Sequence, residues 1–167
     1  ETEVVLRRGE FYNVQGEMVR ARADLERALQ LASSLKGMHQ MVRARMALSS
    51  VTATEGNLKE AERTASEAVQ QALDAGLDTV AADGLTDLAA TLMESARLSE
   101  AATQGERAIQ LAERRGAKRT GARAQLQLAS VRLEQARPQD TLALSERALV
   151  FLKQGHYHRL ELFGLSL

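Results

Sequence analysis

Residues 57–76 read NLKEAERTASEAVQQALDAG, and forty positions later residues 97–116 read RLSEAATQGERAIQLAERRG. Ala61, Ala65, Ala68 and Ala72 in the first stretch fall at i, i+4, i+7 and i+11, as do Ala101, Gly105, Ala108 and Ala112 in the second. That spacing lines up four small residues along one side of a helix with 3.6 residues per turn. A stripe without bulk lets a neighbouring helix approach closely but cannot close a core alone, so such helices must pack against others.

The spacing extends through the whole chain. Ala28, Ala68, Ala108 and Ala148 keep the forty-residue period, each followed by an aliphatic residue: Leu29, Val69, Ile109 and Leu149. Ala21, Ala61 and Ala101 continue as Thr141, while the intervening segments carry Leu48, Leu88 and Leu128 and a small-residue column of Ala44, Gly84, Ala124 and Gly164. A period of this length means a stacked repeat architecture. The units run over approximately 1–38, 39–77, 78–117 and 118–156, and 157–167 opens a fifth, so the chain is expected to be a fragment of a larger protein.

The expected helix ends fit this period. Asn57 with Glu60 three residues on reads as an N-cap with its acid, and Glu100 and Asp140 hold the equivalent place. Pro138, the only proline, falls at a first helical position, where its missing N–H costs nothing. Gly37, Gly76, Gly116 and Gly155 are expected to end the second helix of each unit in the left-handed conformation, and Gly16 and Gly56 recur as Ala96 and Ala136. Each unit then reads as helix A of about 16 residues, a tight turn, and helix B of about 18. No stretch alternates like a strand.

Composition narrows the function. The 167 residues contain 22 Lys plus Arg against 22 Asp plus Glu, no Cys and five aromatic residues, three Phe and two Tyr. Balanced charge disfavours nucleic acid or an anionic membrane surface as partner, since both require a positive field. The longest stretch free of Asp, Glu, Lys and Arg, Met46 to Thr54, is half of what a bilayer span needs. Without Cys there is no disulfide frame, thiolate site or thiol nucleophile. The three His have no Ser close by in a catalytic arrangement, which leaves no nucleophilic machinery, and no cofactor or metal is expected. His156 and His158 form an H-x-H pair but would point apart on a helix. Arg114, Arg115, Lys118, Arg119 and Arg123 form a basic cluster, read as cations complementing a helix C-terminus. Arginine outnumbers lysine eighteen to four, as in GC-rich bacterial genomes.

These columns resemble the tetratricopeptide repeat, whose helix A carries a Leu-Gly pair and whose helix B carries two alanines seven apart. Leu48-Ser49, Leu88-Ala89, Leu128-Ala129 and Arg8-Gly9 fill the first pair; Ala21/Ala28, Ala61/Ala68 and Ala101/Ala108 fill the second. Trp is absent, only Tyr12 keeps the helix A tyrosine, and the period is longer than the usual thirty-four. This is similar to the long variety found in bacterial signalling regulators and kinesin light chains. The resemblance implies an all-α fold, an α-α superhelix: a right-handed solenoid of antiparallel helix pairs. It also implies a non-catalytic interaction or regulatory scaffold, cytoplasmic and part of a bacterial signalling protein such as a kinase, ATPase or transcription regulator. The expected partner is a protein or peptide, or another domain of the same chain, held on a concave face lined by helix A. Carried over by register, that face comprises Glu10, Asn13, Arg43, Met46, Ser50, Asp83, Thr86, Met93, Glu94, Arg123, Leu126 and Glu134, with Glu3, Leu6, Thr54, Ala90, Ser130 and Leu133 beside them. It holds five acids and two bases among Met and Leu, which suits an amphipathic segment with basic residues. A peptide-sensing or self-association module is the alternative, with a nucleic-acid-contacting repeat behind it.

Overall fold

A computed structural model describes residues 1–155. The expected fifth unit over 157–167, Gly164 and the His156/His158 pair lie outside them. Among the described residues eight helices follow one another: α1 (Thr2–Val14), α2 (Met18–Ser34), α3 (Met38–Thr54), α4 (Leu58–Asp74), α5 (Asp78–Glu94), α6 (Leu98–Arg114), α7 (Lys118–Glu134) and α8 (Pro138–Gly155). No strand occurs among the described residues. The odd-numbered helices are the expected A helices and the even-numbered ones the B helices.

The joints between helices are all alike. From α2 onward helices begin at 18, 38, 58, 78, 98, 118 and 138, so the geometric period is twenty, half the sequence period. At 16, 36, 56, 76, 96, 116 and 136 the backbone takes a positive φ, in Gly16, Lys36, Gly56, Gly76, Ala96, Gly116 and Ala136. Around Gly56, its N–H donates to the Ala53 carbonyl at 2.8 Å and that of Asn57 to the Thr52 carbonyl at 3.1 Å. Around Ala136 the same pair joins Ala136 to Leu133 and Arg137 to Arg132, both at 2.9 Å. This is the Schellman closure, in which two crossed bonds satisfy carbonyls left over at the helix end.

Three joints therefore use residues with a side chain. Gly37 is not the left-handed residue it was expected to be: its φ is −79° and it caps the start of α3, while Lys36, at φ 54°, makes the turn. The forty-residue register puts 36, 76 and 116 in one column, and Gly37 lies one place off it. Gly155 is the last residue of α8. Asn57 does cap α4, its side chain accepting from the Glu60 N–H at 3.4 Å, and Pro138 opens α8.

The helices divide into two compact units, the first over 1–80 and the second from 81 onward. In the first, α1 packs on α2, α2 on α3 and α3 on α4. Its core gathers Val5 and Leu6 of α1, Ala21, Leu25 and Ala28 of α2, and Ala44 and Val51 of α3, all buried. Leu25 stands where the later stripes carry Ala65 and Gly105, and α1 makes room for it with Gly9. A Cβ on Gly9 would lie 2.8 Å from Leu25 Cγ. In the second unit α6 packs on α7 and α7 on α8, with Ala122, Leu126, Ala148 and Leu152 buried together. Every stripe residue of α4 and α6 named above is buried. Close approach through small side chains thus takes the place of aromatic bulk.

Candidate interaction surface

Among the A helices, α3 has α2 and α4 packed along its flanks and α7 has α6 and α8, so only a narrow strip of each reaches solvent. In the first unit that strip is organised by Arg43 of α3. Its Nη1 donates to Glu3 at 3.0 Å and its Nη2 to both oxygens of Glu10, at 2.7 and 2.8 Å, which ties α3 to α1. One turn further along, Asn13 Nδ2 donates to Ser50 Oγ at 3.2 Å. Burial pushes the Glu3 carboxyl up, but Arg43 and Arg7 outweigh it and hold it below the usual range.

The second unit repeats the device forty residues apart on α5 and α7. Arg123 of α7 is clasped by Asp87 and by Asp83, the latter at 3.4 Å, and Thr120 Oγ1 donates to the other Asp83 oxygen at 3.5 Å. Burial lifts the Asp83 carboxyl above its ordinary value; Arg123 pulls against it and Asp87 adds to it. Arg123 is held more firmly protonated, by Asp87 first and Asp83 after burial has acted against them. The residues at 3, 43, 83 and 123 alternate in sign: Glu, Arg, Asp, Arg. Asp87 and Thr120 were missed from sequence, although Asp87 follows Asp83 by one helical turn and so shares its face.

Of the residues carried over by register, Glu10, Asn13, Arg43 and Ser50 come together in the first unit, and Asp83 and Arg123 in the second. Met93 is half-buried, and Glu94 and Glu134 are exposed at the ends of α5 and α7. Met46, Thr86 and Leu126 need correction. They fill one forty-residue column with Leu6, and all four are buried. Leu126 packs with Ala122, Ala148 and Leu152, and Thr86 donates to the Ala82 carbonyl at 2.9 Å. The flanks of an A helix take more of its circumference than the register allowed. Ser130 is likewise buried, donating to the Leu126 carbonyl at 3.2 Å, whereas Leu133 is exposed.

The basic cluster also divides. Arg114 lies in the last turn of α6, where a cation complements the dipole, but Lys118 and Arg119 open α7, the end that favours anions. Arg123 belongs to the clasp described above. A shallow polar depression in the second unit is lined by Ser99, Thr103, Glu106, Arg132, Gln135 and Arg137; Arg132 is bonded to Glu106 and Arg137 to Asp140. No group of three or more His, Cys, Asp or Glu among the described residues is arranged to hold a metal, and no helix among them is long and apolar enough to cross a membrane.

Helix pairs joined by Schellman turns and stacked through alanine columns define a tetratricopeptide-like repeat fold. Solved structures agree. BtubC (BKLC) from P. vanneervenii superposes with a TM-score of 0.69 at 17% identity, covering 88% of this chain and 61% of that one. The nearly identical TPR-like repeats of a kinesin light chain candidate from Podosopora anserina superpose with a TM-score of 0.68 at 14% identity, over 91% of this chain and 75% of that one. A single-substitution variant of the latter gives 0.67 at 15%, over 91% of this chain and 74% of that one. This chain thus spans about three-fifths of BtubC, and at such identities the likeness is one of fold. No family model and no curated protein matches the sequence.

Proposed function

We propose that the chain is a non-catalytic protein-interaction scaffold, a cytoplasmic segment of a larger bacterial signalling protein, and that it holds a basic amphipathic segment on its A-helix faces. The observation that carries this reading is the charge left over at the clasp of the second unit. One arginine meets two carboxylates in each unit, Arg43 with Glu3 and Glu10, Arg123 with Asp83 and Asp87. In the second unit the strip therefore keeps a net negative charge while Arg123 is already bonded within the fold; in the first, Arg7 also bonds Glu3, at 2.8 Å, and balances the cluster. In the second unit the exposed Glu94 and Glu134 add to it, beside the half-buried Met93 and the exposed Leu133. Acids around adaptable apolar side chains select the sign of a helical partner while tolerating its shape.

Two synthetic amphipathic helices with the same apolar face, one carrying lysines on the polar face and the other glutamates, test this by fluorescence anisotropy. The lysine peptide binds the wild-type chain, and Glu94→Lys with Glu134→Lys weakens it at least fivefold. Equal binding of both peptides, or no effect of the reversals, overturns the assignment.

A further inference from the structure

The cations at the joint of α6 and α7 are used up neither by the clasps nor by the helix ends. Arg114, Arg115, Lys118 and Arg119 stand within six residues around Gly116, and all four are exposed. The Gly116 N–H donates to the Glu113 carbonyl at 3.1 Å and the Ala117 N–H to that of Ala112 at 2.9 Å. These bonds turn the chain from α6 into α7 and set Arg114 and Lys118 on either side of one tight turn. No acid occurs between Glu113 and Glu134, and Glu113 is itself bonded to Arg147 at 3.1 Å. Arg115 and Arg119 interact within the fold; Arg114 and Lys118 are joined to no acid among the described residues.

The fold does not need these charges. The same joint is built from residues 34–39, SLKGMH, and from 74–79, DAGLDT, with one lysine and with none, and it closes through the same crossed backbone bonds. Cations suit the end of α6. Lys118 and Arg119, however, occupy the first turn of α7, where the dipole is positive, no side chain caps the helix and no acid answers them.

We propose that this joint is a second docking surface, for a short acidic segment of a partner protein, apart from the strip that takes the basic segment. Guanidinium groups grip carboxylates through two parallel bonds, and three of them stand here beside one ammonium. The extent of the patch limits its occupant. One turn further along α7, Arg123 is already held by Asp83 and Asp87, so a longer anion running that way meets carboxylates. A nucleic-acid strand is disfavoured for that reason, and because no Phe, Tyr or Trp occurs between Tyr12 and Phe151 for a base to stack on. No large apolar residue is exposed between Met38 and Leu133, so nothing beside these cations would enter a bilayer.

The probes are a labelled peptide of alternating glutamate and glycine, its glutamine counterpart, and a single-stranded DNA of equal length, each titrated into the 167-residue chain and followed by fluorescence anisotropy. The glutamate peptide should bind at low salt and weaken steeply as salt rises, and the glutamine peptide should not bind. Arg114→Glu with Lys118→Glu should weaken binding about tenfold or more. Arg27→Glu with Arg107→Glu, an equal change of net charge at exposed arginines elsewhere, should weaken it less than about twofold. The lysine peptide of the preceding test should bind the Arg114→Glu, Lys118→Glu variant no less tightly, which keeps the two surfaces apart. Lys118→Glu alone should raise the melting temperature, since it puts an anion where the α7 dipole favours one. The proposal is overturned if the glutamine peptide binds as tightly, if DNA binds more tightly than the glutamate peptide at the same salt, or if the two double variants weaken binding equally. A melting temperature lowered by Lys118→Glu overturns it too, because the lysine would then serve the fold.

Discussion

Replacing Lys36, Ala96 and Ala136 by glycine should make the protein more stable, although none of the three changes removes or adds a packing contact. Each is exposed, and each sits at a φ between 54° and 58°. A side chain in that region costs roughly 1–2 kcal/mol through the clash of Cβ with its own carbonyl. Glycine avoids the clash but loses more freedom on folding, which takes back about 0.5–1 kcal/mol. The net gain is about 0.5–1 kcal/mol at each joint, or about 2 kcal/mol for the three together, since they lie in separate turns and should add. For a chain of this size that raises the melting temperature by roughly 5 °C. Urea unfolding monitored by circular dichroism should show a higher midpoint at unchanged slope. The converse substitutions Gly56→Ala and Gly76→Ala should lower it by the same amount per site. A Cβ at either glycine would meet nothing within 4 Å, so steric crowding cannot account for the loss. If the triple glycine variant melts at or below the wild-type temperature, the left-handed joints are not under the strain assigned to them.

Gly9→Ala should destabilise by about 1–3 kcal/mol, because its new Cβ would also lie 3.2 Å from the Leu25 backbone nitrogen. Combining it with Leu25→Ala should cost less than the sum of the two single changes; strict additivity would refute the size complementarity. Ser145→Ala should be neutral or stabilising by up to about 1 kcal/mol in chemical denaturation, since the buried Oγ has no hydrogen-bond partner among the described residues. The clasps set opposite pH behaviour. Asp24, bonded to Arg8, and Glu3 have lowered pKa values, so their contribution is complete above about 4 and is lost as pH falls through their folded values. Asp83 is raised, so the stability linked to its protonation is present below about 4 and is lost as pH rises through its folded value. Carboxyl carbon NMR should find Asp83 titrating above Asp24 and above a free aspartate; the reverse order would sink the account of its burial.

Much of the fold could be read from side chains because the period lives in them: the alanine stripe, the Leu column, Asn57 and Pro138 each mark a place on a helix. The twenty-residue joint could not be read that way. A and B helices share no side-chain pattern, only a length and a pair of crossed backbone bonds, and those bonds accept lysine or alanine as well as glycine. Counting glycines therefore pointed to Gly37 rather than Lys36. The strip along the A helices was partly legible. Register put Glu10, Asn13, Arg43 and Ser50 on one face without foreseeing that they bond to one another, and Met46, Thr86 and Leu126 were assigned to a surface that a closely packed A helix does not have. Pooled as five acids and two bases, the charges also concealed their order along the chain, and with it the role of Asp87.

That order bears on how the number of repeats could change. Identical joints make the backbone indifferent to the loss or gain of a single forty-residue unit. The alternation of Glu3, Arg43, Asp83 and Arg123 is not indifferent. Deleting residues 41–80 would deliver Asp83 to the place of Arg43, against Glu3 and Glu10, and leave three carboxylates where a salt bridge stood. Deleting or duplicating two units at once keeps the sign at each of these four positions. By charge the repeating module is eighty residues, and removal of one repeat should cost more stability than removal of two.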